Sequence, residues 1–337
     1  MWRVCHLIAV ATEARIGIFE TEPENIFRGT RLHDEMHLEW EAAARTRLES
    51  GFSLRALPLT SRVGLVSFLT MAFFECRFFS EALRLSTSMS VILPQQTSGT
   101  QIGVAADARR DRFPALYLLH GLSDDHTIWS RRTSIERYVA GTGLAVVMPE
   151  VHRSFYCDLA YGGNYWSYIS EELPKLCANF FPIETAREAT FACGFSMGGY
   201  GAFKLGLACP DRFAAVASLS GSLDMGRRVN RSMTEAVPQK EVMAALGESM
   251  RVEGTDNDLF TLLERAKTAD RPMPRFLQHC GTDDYLYDDN QHFRQQMETS
   301  GWDYQYEEVP GSHNWDYVDS AIQRVIEWLP WSGDEDS

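Results

Sequence analysis

The sequence predicts an α/β fold built on a mainly parallel, doubly wound sheet with helices on both faces. Short apolar runs of strand length alternate with helical stretches from residue 71 to residue 330, and several of those runs stop at Pro or Gly. The composition can fill a large core, since 45% of the 337 residues are hydrophobic and 12% aromatic. Alternating strands and helices imply right-handed βαβ crossovers, which lay the strands parallel and put helices on both sides.

The stretch Leu83 to Leu93 alternates apolar and polar in its second half and ends at Pro94, the pattern of an antiparallel strand. Pro114 to Leu119 is a continuous apolar run that stops at His120-Gly121. It reads as a buried parallel strand feeding a loop. Ile135 to Val139 is helical, and the apolar strand Leu144 to Met148 is closed by Pro149. A long helix follows over Tyr165 to Phe180, then a strand over Ala189 to Gly194 and a helix over Met197 to Ala208. Next come a strand at Ala214 to Leu219 and helices around Gln239 to Leu246 and Asp258 to Ala269. The last third repeats the rhythm with strand Arg275 to Cys280, helix Tyr287 to Ser300, strand Tyr304 to Val309 and helix Trp315 to Trp328.

Residues 1–70 lack paired strand or helix patterns and read as a non-catalytic extension, poorly structured or with a single helix over 31–50. An over-long gene start, with Met71 as the true initiator, is one account of it. The first fourteen residues imitate a secretory signal, but His6 interrupts a short apolar stretch. The apolar run Val63 to Phe74 has twelve residues where a spanning helix needs about 20, so no membrane segment is expected. Residues 331–337 form an acidic tail.

With 32 basic against 46 acidic residues, a net charge of −14 and no Lys/Arg run, nucleic acids and anionic membranes are not expected partners. Seven scattered cysteines without CxxC or CxxxH spacing argue against zinc and disulfides and for a reduced, cytoplasmic compartment.

The strongest local signal is Gly194-Phe195-Ser196-Met197-Gly198, a GxSxG between a predicted strand and a predicted helix. That setting suits a nucleophile elbow, in which a sharp turn lifts the serine hydroxyl above the sheet edge. A base must follow in the chain, and only His279, His292 and His313 do. His279 lies within a strand and His292 in mid-helix, where a solvated position is the default. His313 falls in the loop after the last strand and is the base by elimination and position. The acid belongs after the penultimate strand, where Asp284 is preferred over Asp283. The backbone N–H groups of Met197 and Leu122, with Gly121 as the next choice to Leu122, would form the oxyanion hole. His120 reads as structural. Asp124, Asp125 and His126 are adjacent and cannot easily wrap one ion, so no metal is expected, nor any cofactor.

With these residues in view, the chain resembles the esterase D-like branch of the α/β-hydrolases, in particular the bacterial tributyrin-esterase group. The resemblance runs from Met71 to Trp328 through FFSEALRLSTSMSVILPQ, YLLHGLSDDHTIWSRRTSIERY, YWSYISEELPKLC, GFSMGGYGAFKLGL, HCGTDDYLYDDN and GSHNWDYVD. It implies a Ser–His–Asp carboxylesterase for short acyl esters, with the triad on Ser196, Asp284 and His313. It also implies that Trp129, Tyr161 and Trp166 lie near the acyl pocket, beside Gly121. The related S-formylglutathione hydrolases carry a cysteine in the oxyanion loop where this chain reads His120-Gly121-Leu122-Ser123-Asp124, which favours a general carboxylesterase over the glutathione thioester. Sugar-ester (acetyl or feruloyl) hydrolysis and acyl transfer are alternatives, as is a binding protein on a retired hydrolase fold. A homodimer is compatible with this reading.

Overall fold

The computed structural model describes residues 70–95, 111–231, 237–269 and 271–330. The extension before residue 70, the helix expected over 31–50 and the acidic tail 331–337 lie outside the described residues.

The described residues begin with a hairpin of two long strands, β1 (Thr70–Ser80) and β2 (Leu85–Gln95). Then follow β3 (Ala115–Leu119), helices α1 (Ile128–Arg132) and α2 (Ile135–Val139), and β4 (Ala145–Pro149). A continuous helical segment comprises α3 (Tyr165–Ser167), a π-helical turn (Tyr168–Glu172) and α4 (Leu173–Phe180). It leads to β5 (Thr190–Phe195), α5 (Met197–Ala208), β6 (Ala215–Leu219), α6 (Met225–Arg231), α7 (Gln239–Leu246) and α8 (Leu259–Thr268). The chain finishes with β7 (Arg275–Gly281), α9 (Tyr287–Glu298), β8 (Tyr304–Val309) and α10 (Trp315–Trp328).

One eight-stranded sheet has the order β1-β2-β4-β3-β5-β6-β7-β8. β2 runs antiparallel to β1 and to β4, and every pair from β4 to β8 is parallel. Successive side chains of the central strands point to opposite faces, and each face has its own core. Ala115, Tyr117, Leu119, Ala192 and Val216 pack under α5, α8 and the α3–α4 segment. Leu116, Leu118, Phe191, Cys193 and Ala217 pack under α1, α2 and α10. Burial on both faces is why these strands read as unbroken apolar runs.

Two departures from expectation are informative. β1 is not among the predicted strands, because aromatics occupy both of its faces and leave no period-two pattern. The helix expected over Tyr165 to Phe180 is interrupted by its π-helical turn, where Glu172 reaches back to the β1–β2 turn. Its carboxylate accepts from the Ser80 hydroxyl at 2.5 Å, the Glu81 N–H at 2.7 Å and the Ala82 N–H at 3.2 Å. No local pattern in the sequence encodes that long-range bond.

Candidate active site

The site is built at the carboxyl ends of β3, β5, β7 and β8. Ser196 sits between β5 and α5 with φ 58° and ψ −117°, a conformation that costs a non-glycine residue about 1–3 kcal/mol. Its N–H donates to the Leu219 carbonyl of β6 at 3.0 Å, and its own carbonyl accepts from Ser222 N–H at 3.0 Å. The flanking glycines are required sterically. A Cβ on Gly194 would lie 2.3 Å from the Gly198 backbone, and one on Gly198 would lie 2.2 Å from the Leu119 carbonyl oxygen. The turn therefore has no room for a side chain at either glycine.

His313, in the β8–α10 loop, places Nδ1 2.8 Å from Oδ2 of Asp284. The Asp284 side chain is fully shielded from solvent, and its other oxygen accepts from the Leu286 N–H at 2.8 Å. Burial alone would raise this carboxyl. The hydrogen bond and charge of His313, the Leu286 N–H and the Ser220 hydroxyl outweigh burial and hold it below the usual carboxylate range. The imidazole is clamped between two rings, Phe195 with centroids 4.4 Å apart and Tyr285 at 4.6 Å. Phe195 directly precedes Ser196, so the base is held against the nucleophile's own turn. Tyr285 lines the same cavity as Ser196.

The β3–α1 loop lies over the same turn, with the Cβ position of Gly121 3.6 Å from the Ser196 Cβ. Buried His120 shapes that loop. Its Nδ1 donates to the Gly121 carbonyl at 2.7 Å, and its Nε2 accepts from the Val151 N–H at 3.1 Å. Pinning the Gly121 carbonyl on one side turns the Leu122 N–H of the same planar peptide to the other. Among the described residues no acceptor meets that N–H. Met197 opens α5, so its N–H has no intrahelical partner.

Ser196, Met197, Gly121, Leu122 and His313 all line one cavity of about 640 Å³. Its far wall is apolar, formed by Met225 and Val229 of α6, Val237, and Val242, Ala245 and Leu246 of α7. Two arginines reach the lining with their charges already matched, Arg153 by Glu241 at 2.7 Å and Arg228 by Asp289 at 2.8 Å.

The other candidates fall elsewhere. Asp283 is exposed, whereas Asp284 faces His313. His279 is buried against the Tyr317 hydroxyl, and His292 is exposed in mid-helix, with its Nδ1 2.7 Å from Asp224. The three aromatics expected near the acyl pocket do not reach it. Trp129 is wholly buried one layer behind, its ring edge-on to Trp315. Tyr161 is 64% exposed on a loop bonded to the Ala244 carbonyl. Trp166 lines a separate hollow of about 250 Å³ and stacks under the buried Lys204 ammonium, 4.3 Å from its ring centre. Sequence reasoning missed Phe195, Tyr285 and the α6–α7 wall. The two rings adjoin triad residues in the chain and could have been found by adjacency, but the wall has no motif.

A family profile described as "Putative esterase" matches residues 80–328. An acetyl esterase from Caldicellulosiruptor saccharolyticus is 28% identical over 263 residues, spanning 77% of this chain and 98% of that protein. Two solved Staphylococcus aureus structures, the fluorophosphonate-binding serine hydrolase FphF and the S-formylglutathione hydrolase FrmB, are each 35% identical to this chain and cover 77% of it. The matches take in 98% and 99% of those chains, with TM-scores of 0.70 and 0.68.

Proposed function

The chain belongs to the Esterase family and is a serine-type carboxylic ester hydrolase of α/β-hydrolase fold; from that premise we propose that Ser196, His313 and Asp284 are its triad and short-chain acyl esters its substrates. The observation that carries the residue assignment is the line Asp284–His313 meeting the strained Ser196 turn at the mouth of one apolar cavity.

In this reading the Nδ1 proton of His313 is committed to Asp284, which leaves Nε2 to take the Ser196 proton. Oγ attacks the ester carbonyl, and the oxyanion settles between the N–H groups of Leu122 and Met197. The positive end of α5 adds to that stabilisation. His313 then protonates the leaving alcohol as the C–O bond breaks, and water repeats the sequence on the acyl enzyme. Trp129, Tyr161 and Trp166 have no part in it.

Apolar walls and two charge-matched arginines suit an uncharged acyl group and alcohol better than the carboxylates of a glutathione thioester. We also propose residues 71–330 as the catalytic domain and, from seven scattered cysteines without disulfide or zinc spacing, a cytoplasmic location. No helix among the described residues is long and apolar enough to cross a membrane.

Ser196→Ala should abolish hydrolysis of p-nitrophenyl acetate and butyrate and labelling by a fluorophosphonate while the circular dichroism spectrum stays unchanged. Retained turnover would overturn the assignment. A panel adding S-formylglutathione and acetylated or feruloylated sugars should rank the simple short esters first by kcat/KM.

A further inference from the structure

Among the described residues β1 is the outer strand of the sheet, and no described strand lies beside one row of its backbone groups. It is long and apolar for an edge. Phe73, Phe74 and Phe79 are 42%, 42% and 55% exposed, and Phe180, which packs on Phe78, is 48% exposed. Edges are normally kept short or blunted, and apolar surface gathered in one place marks an interaction site. The strand is also fixed, because Glu172 ties down its turn into β2.

The order of residues identifies the occupant. Around Cys76 the strand reads Phe73-Phe74-Glu75-Cys76-Arg77-Phe78-Phe79, aromatic pairs flanking two opposite charges symmetrically. Glu75 and Arg77 are both exposed, and neither has an ion-pair partner among the described residues. We propose that β1 pairs antiparallel with β1 of a second copy, about a two-fold axis through Cys76, joining two sheets into one.

The register follows from geometry. A two-fold axis normal to a sheet keeps each side chain on its own face, so it must pass through a residue position rather than between two. Centred on Glu75 it would set Glu75 against itself, and centred on Arg77 it would oppose two arginines. Centred on Cys76, Glu75 faces Arg77 of the partner subunit twice over. Phe73 then faces Phe79 of the partner subunit on one side of the sheet, and Phe74 faces Phe78 of the partner subunit on the other. Aromatic and opposite-charge pairs are the combinations that stabilise antiparallel neighbours.

The test is sedimentation equilibrium of the full chain, with esterase activity measured in parallel. Wild type should be dimeric. Glu75→Arg and Arg77→Glu each place like charges opposite one another twice, and each should raise the dimer dissociation constant about tenfold or more. The double exchange Glu75→Arg/Arg77→Glu should restore it, with kcat/KM unchanged throughout because β1 is remote from Ser196. A monomeric wild type would overturn the proposal, and so would single variants that dimerise as well as wild type or a double exchange that fails to restore the dimer. Should a single variant not fold, a short bis-maleimide carries the same question. It should link wild-type chains through Cys76 and not link Cys76→Ser, and absence of that link counts against the interface.

Discussion

The turn around Ser196 and the wall formed by α6 and α7 face each other across the same cavity, yet they are held in different ways. The turn is fixed by backbone. Its glycines touch neighbouring main-chain atoms, its amides bond to β6, and the serine is held at φ 58°. The wall is a set of aliphatic side chains on two short helices, and many combinations of similar volume would serve. Reaction chemistry should therefore be intolerant of change on one side, while substrate preference should be adjustable on the other.

The largest effect that would test this contrast is loss of the nucleophile, with Ser196→Ala lowering kcat by about 10⁴-fold or more. Asp284→Asn comes next. It keeps the shape but leaves His313 without an anionic partner, and kcat should fall by about 10²–10⁴-fold. The same variant has a pH signature. Because the folded carboxyl lies below its unfolded range, its contribution to stability is complete above about pH 4 and is lost as pH falls through the folded value. The variant has no such group to titrate, so the difference in Tm between it and wild type should shrink below about pH 4.

Gly198→Ala probes the turn's packing. A methyl group placed 2.2 Å from the Leu119 carbonyl oxygen should destabilise the fold by about 3 kcal/mol or more in denaturant titration. On the wall, Val229→Phe should leave stability nearly unchanged and lower kcat/KM for the butyrate ester about tenfold relative to acetate. A comparable loss with both esters would mean that α6 supports the chemistry itself. The smallest effect is expected for Tyr285→Phe, which keeps the ring against His313 and removes only the phenol near Ser196. Its kcat/KM should change by about threefold, and a much larger fall would make that hydroxyl part of the reaction.

The same contrast explains what could be read in advance. GxSxG between a strand and a helix, an Asp after the next-to-last strand and a His after the last are local patterns set by turn geometry, and the fold brings Ser196 and His313 to one cavity with Asp284 bonded to His313 behind it. The strands from β3 to β6 were legible because burial on both faces writes continuous apolar runs, whereas β7 and β8 were legible from their place in the strand–helix alternation. β1 was not, because an edge strand with aromatics on both faces has neither that signature nor alternation. The pocket aromatics failed for another reason. Trp129 is buried and Trp166 half-buried, and burial by itself does not say which cavity, if any, a ring faces.

By itself the chain determined the order of its strands from β2 to β8, the GxSxG serine turn and the places of acid and base after the last two strands, because each is written as a local sequence pattern. Tertiary structure decided the rest: that Phe195 and Tyr285 clamp the imidazole, that α6 and α7 close the cavity, that Glu172 anchors the first hairpin, and that an edge of exposed phenylalanines lies beside it. Those are meetings of residues far apart in the chain, and only the packing of the whole sheet brings them within reach.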